Sequence, residues 1–206
     1  YKCENNRVMI SLKELKKYLT HRVPFPDREF DALMKKGREL RFKARMPIIQ
    51  QGTLDENVYI VRDGMARGVF LANGRENTIY FSFPGDFFAS TATLTLGLPA
   101  QITIEAFFET AVTAIPMSEF LKTAEQSPVF MRWMSEWFLG QIWTIERKRT
   151  IMAGDASERY DALVRQRPEL IQQVPIKAIA SYLGIAETSL SRLRNPKNRS
   201  SRKPSK

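Results

Sequence analysis

Pro175 to Arg194, PIKAIASYLGIAETSLSRLR, is the segment whose residue types and spacing point most directly to a chemistry. Ile176, Ile179 and Ala180 share the inner face of one short helix, and Ala180 is small where a second helix must cross closely. Gly184 follows, a residue that ends helices in a left-handed conformation that is costly for side-chain-bearing residues. Ile185 plugs the turn, and Leu190 and Leu193 anchor a second helix from inside. That leaves Glu187, Thr188, Ser191 and Arg192 on its outside. A helix presented in this way can enter the major groove of DNA and read base edges: a carboxylate accepts from the cytosine amino group, and a guanidinium binds guanine through two hydrogen bonds. The spacing alone would also suit an ordinary helical hairpin.

Charge separates the two readings. The chain of 206 residues carries a formal net charge of +10. From Arg147 to Lys206 there are 14 Lys/Arg against 5 Asp/Glu, whereas Tyr1 to Glu146 has 18 against 17. A localised basic end concentrates a polyanion around itself. Double-stranded DNA is the leading partner. An anionic membrane surface fits less well, because the segment has no long amphipathic face. Asn195 to Lys206, rich in Ser, Pro and Lys, reads as a solvated, disordered basic tail.

The elements that must hold this segment can be traced upstream. Ser11 to about Leu40 reads as helical, with Ser11 as N-cap, Leu12, Leu15, Tyr18 and Leu19 on one face, and a break at Pro24 and Pro26. Asp27 opens a second helix carrying Phe30, Leu33 and Met34. From about Phe42 to Pro116, short strands alternate with Gly and Asx turns. The strands are Pro47 to Ile49, Val58 to Val61, Met65 to Leu71, Thr78 to Phe83, Ile102 to Ala106 and Ala111 to Ile115. This pattern predicts an antiparallel barrel or double-sheet, jelly-roll-like β-roll. Ser127-Pro128 opens a long helix with Phe130, Trp133, Met134, Trp137, Phe138, Ile142, Ile145, Ile151 and Met152 at three- and four-residue steps. Such a stripe suits a two-helix dimer seam, for which Phe130, Met134, Trp137, Phe138 and Ile145 are the candidate residues. In the last helical unit, Ser157 to Arg194, Tyr160, Leu163 and Val164 form an apolar face that stops at Pro168, and Glu169 to Val174 reads as a turn. The expected class is α+β, divided into helices and roll over 1–126, a dimerisation helix over 127–153, a helix-turn-helix over 154–194 and a tail over 195–206.

These segments together resemble the CRP/FNR regulator family. IASYLGI followed by ETSLSRLR is similar to that family's C-terminal domain, in the form with a reduced DNA-binding domain. VYIVRDGMARGVF and NGRENTIYFSFPGDFF resemble its cyclic-nucleotide-binding-type roll, and the helix from Pro128 its dimerisation helix. The resemblance covers nearly the whole chain. It implies a homodimeric, cytoplasmic transcription regulator that binds an inverted repeat and has RNA polymerase as a further partner. It places the base-reading positions on Glu187, Thr188 and Arg192. It makes Ser189 a phosphate-contacting hydroxyl, with Ser191, Lys177 and Arg194 as further phosphate contacts. Family members often carry Glu where this chain has Thr188, so their operators do not transfer.

The effector site departs further from the family. Cyclic-nucleotide binders of the family have Gly-Glu shortly after the Gly-Asp turn, here Gly85-Asp86, and an Arg followed by a small hydroxyl residue. The corresponding positions here are Ala89-Ser90 and Ala100-Gln101. A buried phosphate without its cation is costly to desolvate, so cyclic AMP is not the expected ligand. Phe83, Phe87, Phe88, Phe107 and Phe108 line an apolar pocket or are simply core. One cysteine (Cys3) argues against an iron–sulfur cluster, and one histidine (His21) against haem. No cofactor and no metal are expected, and the effector is not specified.

Other classes fare worse. Metal-dependent enzymes on double-sheet β folds need several His plus a carboxylate, and no nucleophile elbow, phosphate-binding glycine loop or paired-Cys motif is present. An enzyme is therefore not expected. A sensor module that does not bind DNA is the remaining alternative, and the basic C-terminal charge opposes it. No stretch approaches 18 uninterrupted apolar residues, and Tyr1 to Leu19 lacks the apolar core of a signal peptide.

Overall fold

The computed structural model describes Ser11, Lys13, Glu14, residues 26–72 and residues 74–195. Cys3, His21, most of the expected first helix and the tail beyond Asn195 lie outside the described residues. Ser11 nevertheless forms a reciprocal helix cap with Glu14: the Glu14 N–H donates to Ser11 Oγ at 3.2 Å and the Ser11 N–H to Glu14 Oε2 at 2.9 Å.

Contacts divide the chain into two units, Tyr1–Phe70 with Ile79–Phe138, and Leu71–Thr78 with Leu139–Lys206. The first is the expected antiparallel double-sheet roll with helices. Helix α1 (Asp27–Lys36) leads into β1 (Arg38–Phe42), β2 (Pro47–Ile49), β3 (Asn57–Asp63), β4 (Ala66–Ala72), β5 (Arg75–Ser82) and β6 (Phe87–Ala89). Helix α2 (Thr91–Leu96), β7 (Thr103–Ala106), β8 (Thr110–Pro116) and helix α3 (Met117–Gln126) follow, then the long helix α4 (Pro128–Ile151). The strands form two four-stranded sheets, ordered β1-β8-β3-β6 and β2-β7-β4-β5.

Alternation along β3 explains why this layering is stable. Val58 and Ile60 face one core, with Phe30 and Leu33 of α1, Phe120 of α3 and Phe130 of α4. Tyr59 and Val61 face the other, between the sheets, with Ile49, Phe88, Ile104 and Val112. Both faces of the sheet are thus covered, as a strand apolar at successive positions requires.

Several local expectations need correction. Leu40 is not helical: α1 ends at Gly37, and Leu40 pairs with Val112 in β1. The strand β6 and helices α2 and α3 were not expected. Glu169 to Val174 is largely a short, six-residue helix rather than a turn, because Pro168 sits at its first position, where its missing N–H costs nothing.

Among the described residues, the second unit holds four short helices after the end of α4: α5 (Ala156–Gln166), α6 (Pro168–Gln173), α7 (Ile176–Leu183) and α8 (Glu187–Arg194). A capping box starts α5. Asp155 Oδ1 accepts from the N–H groups of Ser157 and Glu158 at 2.8 and 3.0 Å, and Glu158 Oε2 accepts from the Asp155 N–H at 2.8 Å. Among the described residues no helix is long and apolar enough to cross a membrane.

Candidate nucleic-acid interface

Helix α7 buries Ala178, Ile179, Ala180, Tyr182 and Leu183, while Ile176 is only half-buried. Gly184 ends it at φ 64°, its N–H reaching the carbonyls of Ala180 and Ser181. The Ile185 N–H then donates to Ala180 O at 3.0 Å. This is a left-handed C-cap, and it turns the chain sharply into α8. Ala186 is the N-cap of α8 and offers no side-chain acceptor. Leu190 is fully buried and Leu193 half-buried, so one face of α8 is fixed against the unit.

The opposite face is open. Glu187, Thr188, Ser191, Arg192 and Arg194 are exposed, Ser189 is half-buried, and Lys177 on α7 is exposed. All the residues singled out for base and phosphate contact therefore lie on α7–α8, and the three base-reading candidates stand at positions one, two and six of α8. At about 1.5 Å per residue, an eight-residue helix is about 12 Å long, comparable with the width of the major groove.

The roll places the effector-site positions differently from a charged pocket. Gly85 (φ 96°) and Asp86 make a tight turn, in which Asp86 Oδ2 accepts from the Phe83 N–H at 2.8 Å. Ala89 pairs with Val58 in the sheet. Ser90 is buried and caps α2, accepting from the Thr93 N–H at 3.2 Å, with Thr93 Oγ1 2.7 Å away. Ala100 is buried, with its backbone bonded to Gly52 and Thr53. Gln101 spends its amide on Pro99 O at 2.9 Å.

Among the described residues of the roll two cations are buried, Arg67 and Arg62, and both are committed. Arg67 Nε contacts Glu105 Oε1 at 2.8 Å, and its guanidinium lies 5.1 Å from the Phe107 ring. Arg67 and Glu105 are cross-strand partners that alternate with Ala66, Ile104 and Ala106, and so face away from the inter-sheet core. Arg62 Nη1 reaches Thr113 Oγ1 at 3.2 Å and Glu39 at 3.5 Å. The space between the sheets is filled by apolar groups, including Phe88 stacked on Tyr59 at 5.1 Å. Phe87 packs instead in the helix-side core, 5.1 Å from Trp133.

Helix α4 divides the candidate dimer residues. Phe130 and Met134 belong to the core of the first unit, with Trp133 between them in sequence. Trp137 and Phe138 are half-buried against that core. Ile145 is 59% exposed, and Leu139, Ile142 and Trp143 are exposed to a similar degree. Leu139 and Trp143 were missed in the sequence, although they follow the same three- and four-residue spacing. Arg147 lies over the Trp143 ring at 4.2 Å. Lys148, one residue on, turns inward. It donates to the Thr78 carbonyl and lies 4.2 Å from the Tyr182 ring, and burial pushes its amine down to about 8.

Residues 39–127 match the family model of the cyclic nucleotide-binding domain. Among solved structures the chain is similar to FixK2 of Bradyrhizobium japonicum, at 21% identity and a TM-score of 0.66, covering 76% of this chain and 82% of that one. It is similar to CLP of Xanthomonas campestris, described as a cyclic di-GMP responsive global regulator, at 13% identity and a TM-score of 0.66, covering 82% and 89%. A CRP-family transcriptional regulator of Thermus thermophilus aligns at 18% identity and a TM-score of 0.60, covering 75% and 81%. Comparison with curated proteins gives no match. The chain thus has the fold of solved CRP/FNR regulators, the family its sequence resembles.

Proposed function

We propose that this protein is a sequence-specific, DNA-binding transcription regulator that acts as a homodimer on an inverted repeat. The observation that carries this reading is the open face of α8: Glu187, Thr188 and Arg192 are exposed on a helix held from behind by buried Leu190 and set by the Gly184 turn. Glu187 and Arg192 offer a base-edge acceptor and a bidentate donor. Lys177, Ser189, Ser191 and Arg194 supply the phosphate contacts that fix register.

The exposed second half of α4, with Leu139, Ile142, Trp143 and Ile145, is the surface that a second copy covers. Trp137 and Phe138 extend it, while Phe130 and Met134 support it from the core. Two recognition helices so joined would stand about 34 Å apart, one helical turn of DNA. The roll serves as a sensor or structural domain that does not take cyclic AMP, since Ala89, Ser90, Ala100 and Gln101 give a phosphate no cation. RNA polymerase is the expected further partner and the cytoplasm the expected compartment.

A salt-dependent gel shift on genomic fragments tests the reading. Retarded, sequence-selective complexes whose selectivity drops in Arg192→Ala are expected. Absence of any DNA complex would favour a sensor module that acts on proteins instead.

A further inference from the structure

Strand β5 is at the edge of its sheet, so among the described residues no strand pairs with its outer side. The stretch Leu71–Thr78, which contains the β4–β5 turn, belongs to the same unit as α7 and α8. Ser181 on α7 pairs with that edge as a neighbouring strand would. Its hydroxyl donates to Glu76 O at 2.8 Å and accepts from the Thr78 N–H at 3.1 Å, with Thr78 Oγ1 3.0 Å away. Lys148 takes the next outward group, the Thr78 carbonyl. Thr78 is 1% exposed, so the bonds to its N–H and carbonyl are partly shielded from water, while the Ser181–Glu76 bond lies at the surface.

Beside this clasp runs a groove of roughly 680 Å3. Arg75, Glu76 and Asn77 line it from the hairpin, and Gly184, Ile185 and Ala186 from the other wall. Those last three residues are the turn into α8. A helix that enters the major groove brings the turn before it against the sugar–phosphate backbone. Arg75 is exposed, and among the described residues no ion pair or hydrogen bond engages its guanidinium. Glu187, Thr188 and Arg192 stay exposed with the hairpin in place, so the hairpin stands beside the reading face rather than over it.

We propose that the β4–β5 hairpin is part of the DNA interface, with Arg75 contacting the sugar–phosphate backbone beside the recognition helix and Ser181 acting as the residue that positions it. The proposal rests on the reading of α8 as the element that enters DNA. Arg75 adds affinity and orientation and carries no sequence information.

The test measures binding of the full chain by fluorescence anisotropy, to a selected operator duplex and to a scrambled duplex, across a series of salt concentrations. Arg75→Ala should weaken both duplexes by the same factor and reduce the salt slope by about one unit per protomer, while Arg75→Lys keeps the wild-type slope. Ser181→Ala should reproduce the slope change of Arg75→Ala, and combining the two should add nothing further. Loss of stability alone would lower the active fraction and leave the slope unchanged. An unchanged slope in Arg75→Ala overturns the proposal, as does tighter binding, which would make the hairpin an obstacle to DNA. The arm is judged on the slope with either duplex and the reading helix on the ratio between duplexes, so the two readings fail separately.

Discussion

Trp143→Ala should dissociate the proposed homodimer without unfolding the protomer. Trp143 is 57% exposed. A tryptophan buries up to about 250 Å2, so about 140 Å2 of this side chain remains wet in one protomer. At about 25 cal/mol/Å2, covering that area is worth about 3.5 kcal/mol, and a two-fold interface counts it twice. Even if the partner covers only half of it, the dimer loses about 3.5 kcal/mol, a rise in Kd of a few hundredfold. The stacking of Arg147 on the ring is worth less, about 0.5–1 kcal/mol at an exposed site, and is lost within one chain. Sedimentation equilibrium over a range of concentrations reads the Kd, and circular dichroism checks the fold. A variant that associates as tightly as wild type would refute the assignment of the seam to this half of α4. A wild-type protein that stays monomeric at tens of micromolar, roughly the weak-binding range, would refute the seam altogether.

Three further outcomes follow from the structure. Calorimetric titration with cyclic AMP or cyclic GMP should give no micromolar binding, and a micromolar Kd for either would show that the roll recruits a cation from elsewhere. Arg192→Ala should cost about 1–3 kcal/mol on the preferred site and relax preference at one base pair, whereas Lys177→Ala and Arg194→Ala should weaken all sequences alike and lower the salt slope by about one unit per contact. Lys148 should leave a signature in pH-dependent stability. Burial lowers its folded pKa to about 8 from 10.5, so above pH 8 the unfolded chain binds more protons and stability rises with pH. Between pH 8 and 10, wild type should gain about 2 kcal/mol relative to Lys148→Met in urea unfolding, and a flat difference over that window would contradict the burial of the amine.

The fold was legible where local pattern and turn chemistry agreed. Val58 to Val61 and Ala111 to Ile115 are apolar runs closed by turn residues, and both are central strands. Arg38–Phe42 escaped because RELRF interleaves three charges with two apolar residues directly after a helix, and its strand character comes from pairing with β8. Pro168 read as a stop but starts a helix, since proline is equally at home at a first helical position. The local geometry of α7 and α8 could be read residue by residue because Gly184, Leu190 and the outward positions act locally. The stripe on α4 could not be apportioned in the same way. Periodicity says which residues share a face, not what covers it: Phe130 meets Phe120, while Trp143 is stacked by Arg147 and otherwise largely exposed. Arg75 gave no signal at all, because its place beside Gly184–Ala186 depends on Ser181 meeting an edge strand far away in sequence.

Selection of random duplex DNA by the purified protein, followed by sequencing, tests the central claim most directly. The account predicts enrichment of an inverted repeat whose half-site centres lie about 34 Å apart, one helical turn, with the preference at one base pair of each half-site relaxed in Arg192→Ala. A bound pool with no enriched sequence, or an enriched site that Arg192→Ala and the tail truncation after Asn195 weaken alike without changing preference, would contradict it.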